Sequence, residues 1–340
     1  MSILDEDLPN GGFPVGSTKE RPKKKPNGEA PKEPRQLPQG ESAFSLTERD
    51  VPLPVRLCDP WATEGVNMIA GRPKLGKTTL ERQKMAAAAM AGPFLDSHFK
   101  VETKSLFLCL EEGMLLTREK FKNAKFPEAA LASIDLHFEW PRGWDGADLL
   151  DQYLPTHQDR KLVVIDSLTK FRTPPDAKTA PFQSDYNAIS DLHNIAKKHP
   201  GVCIDLIHHT RKGRSDDPID DVSGTYGLTA ACDSITVLRP HPDGAQLFVQ
   251  GRLWTRNDNQ YLLKKENGGW TMLGADLGLT DEQKDTVEMI KAAGMNGMGG
   301  KELGDKLGIT TRSAWDRIDG IFAKGLLDKR FGRVFWKASH

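Results

Sequence analysis

A short strand, a glycine-bearing loop and a helix follow one another over residues 66–80, and this order constrains the fold more than any other feature of the sequence. Residues 66–70 form an apolar run, which is typical of a buried strand. Residues 71–78 match Gly-x-x-x-x-Gly-Lys-Ser/Thr at every fixed position, and residues 80–91, rich in alanine and methionine, are typical of a helix. A phosphate-binding loop requires this context, so the sequence predicts a nucleoside triphosphate site.

The fixed residues of the loop each have a chemical reason. Gly71 and Gly76 allow the tight turn in which successive N–H groups converge on a phosphate, and the positive end of the helix dipole adds to this attraction. Lys77 is expected to reach the β- and γ-phosphates of ATP, and the Thr78 hydroxyl is expected to bind Mg²⁺. The residues expected to bind the nucleotide are Gly71, Arg72, Pro73, Lys74, Leu75, Gly76, Lys77, Thr78 and Thr79.

The composition limits the classes of partner. The formal net charge of the 340 residues is zero, so any surface for nucleic acid must be local. The four cysteines include no Cys-x-x-Cys pair and are expected to be buried free thiols. No apolar stretch is long enough to cross a bilayer, and the N-terminus has no apolar leader segment. We therefore expect a cytoplasmic protein with no membrane partner.

A carboxylate for the metal is expected at the end of a second buried strand. Residues 161–166 are mostly apolar and end in Asp166. An aspartate at the tip of such a strand, downstream of a phosphate-binding loop, is the Walker B pattern that holds Mg²⁺. Asp166 and Thr78 are therefore the predicted metal-binding residues.

The catalytic base is expected on a different strand. Ser167 stands where many nucleotide hydrolases have a catalytic glutamate, so the base that activates water must come from elsewhere. Glu111, which follows the apolar run 105–110, is the candidate, and Glu112 is the alternative. The carboxyl ends of parallel strands meet at one edge, which would bring Glu111 to the phosphates. The alternative is that Glu111 has a structural role, as a salt-bridged glutamate at the start of a helix.

Three motifs together resemble the RecA-type ATPase core. They are the phosphate-binding loop, the strand that ends Cys-Leu-Glu-Glu and the strand that ends Val-Val-Ile-Asp-Ser. In particular they resemble the small hexameric replicative helicases of the plasmid RepA kind, and the resemblance covers residues 51–275. It implies an α/β fold with a mostly parallel central sheet. It also implies that a histidine at the end of strand 201–207 senses the γ-phosphate; His209 is the matching position and His208 the runner-up.

The resemblance further implies contacts with DNA and with a neighbouring subunit. Residues 211–227 are expected to be a mobile loop in the channel of a ring, where it contacts single-stranded DNA; an ordinary surface loop is the alternative. The cations of this loop are Arg211, Lys212 and Arg214. An arginine at a strand end is expected to complete the neighbour's nucleotide site, with Arg252 as candidate and Arg256 as runner-up.

The C-terminal pattern predicts a winged helix. Helices are expected at residues 282–293, 301–307 and 312–326, followed by a hairpin at 327–337. Duplex DNA is the expected ligand, and a docked protein is the alternative. The candidate DNA-binding residues are Arg312, Arg317, Lys329, Arg330 and Arg333.

The sequence as a whole predicts three parts: a disordered, proline-rich basic tail (1–48), an ATPase domain (49–275) and a winged-helix domain (279–340). The leading hypothesis is a Mg²⁺-dependent ATPase that forms a ring, a hexamer, on DNA and serves as a replicative helicase or translocase of a plasmid or phage, in contact with other replication proteins. A DNA-bound regulator or loader that uses ATP to change its assembly state is the second hypothesis. A metabolic kinase is disfavoured because no acceptor-binding lid is evident.

Overall fold

The computed structural model describes residues 40–174, 180–254, 256, 259–275, 279–322 and 326–337. The chain divides into two compact units, Met1–Pro52 and Leu53–His340. The described part of the first unit contains helix α1 (Ala43–Glu48), which the Ser42 side chain caps by accepting a hydrogen bond from the Ser45 N–H. The predicted tail therefore ends in a helix, while its residues 1–39 lie outside the described residues.

Strands of one large sheet dominate the second unit. The strands are β1 (Arg56–Cys58), β2 (Ala62–Thr63), β3 (Gly65–Gly71), β4 (Pro93–Phe94), β5 (Ser97–His98), β6 (Lys104–Cys109), β7 (Ile134–His137), β8 (Arg160–Asp166), β9 (Cys203–His209), β10 (Ser234–His241), β11 (Gly244–Gly251), β12 (Gln260–Glu266), β13 (Gly269–Ala275), β14 (Leu327–Arg330) and β15 (Arg333–Trp336). Among the described residues, nine of them form a sheet in the order β13-β12-β11-β10-β3-β9-β8-β6-β7. The strands from β10 to β7 are parallel, and β11, β12 and β13 extend the sheet antiparallel. This is the predicted α/β arrangement with a mostly parallel sheet.

Helices cover both faces of this sheet. They are α2 (Lys77–Ala89), α3 (Met114–Ala124), α4 (Glu128–Leu131), α5 (Gly143–Thr156), α6 (Leu168–Phe171), α7 (Pro181–Lys198) and α8 (Tyr226–Ala231), with a short 3₁₀ helix at Pro218–Asp221. The C-terminal part contains α9 (Asp281–Ala293), α10 (Gly300–Leu307) and α11 (Thr311–Phe322), with a 3₁₀ helix at Gly294–Asn296. Residues on strand β3 alternate between the two faces: Val66 and Met68 pack into the core that contains α7, and Ile69 into the core that contains α2. The central strands β3, β6, β8 and β9 are buried on both sides, so their sequences are nearly continuous apolar runs.

Helix α7 is not among the elements predicted from the sequence, and the start of helix α8 lies in the segment predicted to be a mobile loop. The 211–227 segment contains a 3₁₀ helix and the start of α8, and Thr210 pairs with Val222 across its base. Buried Leu228 fixes α8 against the core. The glycines and aspartates of this segment favour a loop locally, but tertiary burial overrides that preference.

The C-terminal part has a hydrophobic core of its own. Helices α9, α10 and α11 and the hairpin β14–β15 enclose nine buried side chains, which include Val287, Leu303 and Val334. Thr280 caps α9 in a capping box with Gln283, as the Thr-x-x-Gln pattern favours. Helix α11 ends at Phe322, and residues 323–325 of the predicted third helix lie outside the described residues. No described helix has the length and apolarity needed to span a membrane.

Candidate nucleotide-binding site

The phosphate-binding loop lies between strand β3 and helix α2, as the sequence predicts. Gly76 has a φ of +108°, a conformation that favours glycine, and a Cβ at this position would lie 2.9 Å from the Trp270 ring. The Trp270 indole N–H donates to the Gly76 carbonyl at 3.0 Å, and Gln83 exchanges two hydrogen bonds with the Trp270 backbone. Strand β13 therefore braces the loop, a contact that nothing in the sequence indicated.

Lys77 is buried at the first position of helix α2. Its Nζ donates to the carbonyls of Gly71 (2.8 Å) and Arg72 (3.0 Å), which occupies two of its three donors. Burial lowers the pKa of Lys77, while the charges of Asp166 and Glu111 oppose that shift. The ammonium is held at the loop where phosphate oxygens would lie. The outer loop residues Arg72, Pro73 and Lys74 are exposed, and Leu75, Thr78 and Thr79 are partly buried.

Thr78 and Asp166 come together as the predicted metal-binding pair. The Thr78 hydroxyl donates to Asp166 Oδ2 at 2.7 Å. Burial raises the pKa of Asp166, and the hydrogen bond from Thr78 lowers it. No cluster of three or more His, Cys, Asp or Glu that could hold a metal occurs among the described residues. One carboxylate and one hydroxyl suit Mg²⁺, which takes its remaining oxygens from phosphates and water.

Glu111 and Glu112 follow strand β6 but have different surroundings. Glu112 is bound by the buried Arg82 at 2.6 Å and by Lys120, and although its burial raises its pKa, these two cations lower it overall. Glu111 is more exposed and faces His209, with 3.3 Å between Glu111 Oε1 and His209 Nε2. The geometry therefore leaves Glu111 accessible to water, whereas Glu112 is held in ion pairs with Arg82 of helix α2 and Lys120 of helix α3.

The two histidines at the end of strand β9 also differ. His208 is buried, its Nε2 donates to the Ser223 carbonyl at 2.8 Å, and burial lowers its pKa to about 4. His209 is half-buried at the edge of the site, next to Glu111. His209 is thus the residue that contacts the site, and His208 anchors the segment that follows.

The loop after His209 is fixed at its base and exposed at its cations. Buried Asp221 pairs with buried Arg239 at 2.8 Å and accepts the Ser215 N–H at 2.7 Å. Arg72 of the phosphate-binding loop donates to the Lys212 carbonyl at 3.3 Å, which joins the two loops. The side chains of Arg211, Lys212 and Arg214 are exposed. The loop therefore projects from the edge of the nucleotide site.

The structure places Arg252 away from the other site residues. It follows β11 beside the amino end of β3, where its guanidinium lies 3.4 Å from Asp233, which accepts the Val66 N–H. Seven residues of β3 separate this end from the loop, about 20 Å of strand. Arg252 is exposed in a cleft of about 440 Å³ and does not reach its own phosphate-binding loop.

Arg256, the runner-up, is engaged in packing. Its guanidinium lies over the rings of Trp61 (5.3 Å) and Tyr261 (5.9 Å) and pairs with Asp96. The Trp61 indole N–H donates to Asp96 at 2.8 Å, so Trp61 belongs to the same cluster. This cluster holds the outer strands on the core.

The five candidate cations of the C-terminal part have different contacts. Arg317 pairs with Glu282 at 2.9 Å, and Arg333 pairs with Glu302 at 2.6 Å. Lys329 lies 4.5 Å from the centre of the Trp315 ring and Arg330 lies 3.4 Å from Asp328, whereas the side chain of Arg312 is exposed.

A known protein family covers the residues of this site. The family model described as an AAA domain matches residues 33–215, which is more than half of the chain. The chain belongs to this AAA domain family. The matched residues include the phosphate-binding loop, Glu111, Asp166 and His209, so the protein has a P-loop ATPase domain for which ATP and Mg²⁺ are the usual ligands. Arg252 and the C-terminal part lie outside the match.

The search of curated proteins gave no match. Among solved structures, the chain is similar to the "ATPase Domain of G40P", with 15% identity, coverage of 62% of this chain and 85% of that chain, and a TM-score of 0.49.

Proposed function

We propose that this protein is a Mg²⁺-dependent ATPase that assembles into a ring, a hexamer, on DNA and works as a replicative helicase or translocase of a plasmid or phage. The observation that carries this proposal is the contact between Glu111 and His209, which links a hydrolytic carboxylate to an exposed basic loop. In this assignment residues 49–275 are the ATPase domain and residues 279–340 a winged-helix domain.

The hydrolytic step follows from the positions of these side chains. Glu111 accepts a proton from a water molecule, whose oxygen bonds to the γ-phosphorus as the bond to the β–γ bridging oxygen breaks, giving ADP and phosphate. Lys77 neutralises charge on the β- and γ-phosphate oxygens. Thr78 and Asp166 would hold Mg²⁺, which would supply further neutralisation of the phosphate charge.

His209 connects this step to the loop. Its Nε2 donates to Glu111, and its carbonyl accepts the Ser223 N–H at 3.0 Å. The next residue, Thr210, donates its N–H to the Gly71 carbonyl at 3.3 Å. A change at the γ-phosphate that moves Glu111 therefore acts on the strand end from which Arg211, Lys212 and Arg214 project toward single-stranded DNA.

Two surface features support the proposal of a ring. Arg252 lies about 20 Å from its own loop by strand length, and we assign it to a neighbour's nucleotide, where it would neutralise transition-state charge. Beside Glu111, helix α3 begins with three exposed apolar side chains, Met114, Leu115 and Leu116. Exposed apolar patches of this kind mark protein contacts, and a head-to-tail contact that closes makes a ring.

A second candidate is a DNA-bound regulator or loader that uses ATP to change its assembly state. It is favoured by the acidic side chains of the basic loop, since Asp216, Asp217 and Asp220 are exposed near the three cations. These charges weaken the attraction of the loop for a DNA strand.

The test is the ATPase rate of Glu111→Gln, with Glu112→Gln as the matched control. We expect Glu111→Gln to bind ATP normally and to lose at least about a hundredfold in turnover, the usual contribution of a general base. Glu112→Gln should keep its turnover, because Glu112 faces Arg82 and Lys120. Normal hydrolysis by Glu111→Gln would refute the assignment of the base.

A further inference from the structure

The tip of the hairpin β14–β15 carries an aromatic side chain that the fold does not use. Arg330 pairs with Arg333, so Phe331 and Gly332 form the two-residue loop between the strands. Phe331 is fully exposed, at 103% of its reference area. A large aromatic side chain in this position buries nothing in the folded chain.

The backbone at this tip makes the choice of residue more unusual. Phe331 has a φ of +50° and Gly332 a φ of +73°. A two-residue hairpin loop with both φ angles positive favours Asn-Gly or Asp-Gly, and a bulky side chain there costs free energy. Both the exposure of the phenyl ring and the backbone strain at Phe331 are unfavourable for folding. The choice of phenylalanine therefore points to a role outside the fold.

The hairpin holds this ring in a fixed place. Arg333 donates to the carbonyls of Asn296 (2.7 Å) and Gly297 (2.9 Å) and pairs with Glu302. Lys329 lies over the Trp315 ring of helix α11. These contacts tie both strands to the helices, so the tip projects from a rigid base.

The charge around the tip indicates the class of ligand. Residues 326–337 contain four Lys or Arg residues and one Asp. A cationic strand pair attracts the phosphates of nucleic acid, and an exposed Phe between the cations is the type of side chain that enters a base step from the minor groove. We propose that Phe331 is a wedge that contacts a base step of duplex DNA while the neighbouring cations hold the backbone. This rests on the proposed association of the C-terminal part with DNA.

The test compares Phe331→Asn with Phe331→Trp in the full chain. Phe331→Asn places the favoured Asn-Gly pair in the turn, so the hairpin stays folded while the ring is lost. Binding to a short fluorescein-labelled duplex is measured by anisotropy over a range of salt concentrations. We expect Phe331→Asn to lose about tenfold in affinity with an unchanged salt dependence, and Phe331→Trp to bind like the wild type.

Charge removal gives the contrasting readout. Arg330→Ala should reduce the magnitude of the slope of log affinity against log salt by about 1, because one phosphate contact is lost. A 2-aminopurine in the duplex should brighten when the wild type binds, since its base step opens, and should not brighten with Phe331→Asn. Equal affinity of Phe331→Asn and the wild type would overturn the proposal.

Two other outcomes separate the wedge from the proposed function. If Phe331→Asn changes the oligomeric state and leaves duplex affinity intact, the phenyl ring of Phe331 belongs to a protein contact and the proposal is wrong. If duplex binding depends on Phe331 while single-stranded DNA does not change the ATPase rate, the role of Phe331 is supported and the proposed helicase or translocase function is refuted.

Discussion

The buried ion pair at the base of the basic loop gives a sharp prediction about stability. The side chains of Asp221 and Arg239 are 6% and 8% exposed and lie 2.8 Å apart. Asp221→Ala would leave the Arg239 guanidinium buried without its carboxylate and would free the Ser215 N–H. Breaking a buried pair on one side costs about 3–5 kcal/mol. We expect the free energy of unfolding to fall by about that amount.

Urea unfolding followed by tryptophan fluorescence measures this loss. The matched control is Asp220→Ala, which removes an exposed carboxylate from the adjacent position and should change stability by less than about 0.5 kcal/mol. The double variant Asp221→Leu, Arg239→Met should recover most of the loss, since apolar replacements of both partners are often tolerated. A loss below about 1 kcal/mol for Asp221→Ala would mean that the Asp221–Arg239 pair does not stabilise the fold.

Two other predictions concern pH and assembly. Folding lowers the pKa of His208 from 6.5 to about 4, so between these pH values the unfolded chain binds a proton that the folded chain does not. The free energy of unfolding should therefore fall by up to about 3 kcal/mol as the pH drops from 6.5 toward 4. His208→Gln should lose this part of the pH dependence when unfolding is measured at several pH values, and a profile equal to that of the wild type would contradict the prediction. Leu115→Glu should abolish oligomers in light scattering, while the exposed Glu119→Gln keeps them; persistent oligomers in Leu115→Glu would exclude this patch from the interface.

The sequence was sufficient for the local parts of the site. The phosphate-binding loop and the ends of β6, β8 and β9 could be predicted because each is a short strand followed by polar residues. Parallel pairing then brings Glu111, Asp166 and His209 to one edge. The choice between Glu111 and Glu112 was only a preference from the sequence, and the structure gives it a reason, since Arg82 and Lys120 occupy Glu112.

Long-range contacts could not be predicted. Trp270 lies far from Gly76 in sequence, and its contact with the loop arises only when β13 joins the sheet edge. The sequence predicts a mobile loop over residues 211–227, which include Asp221, because the partner of Asp221, Arg239, lies on another strand. Helix α7 was missed although its apolar residues repeat at helical spacing, with Ile189, Leu192 and Ile195 buried.

The central claim is that ATP hydrolysis is coupled to single-stranded DNA through His209. The measurement is the ratio of the ATPase rate with single-stranded DNA to the rate without it, for the wild type and for His209→Asn. We expect a ratio clearly above one for the wild type and a ratio near one for His209→Asn, with ATP binding intact in both. A wild-type rate indifferent to DNA, or undiminished stimulation in His209→Asn, would contradict it.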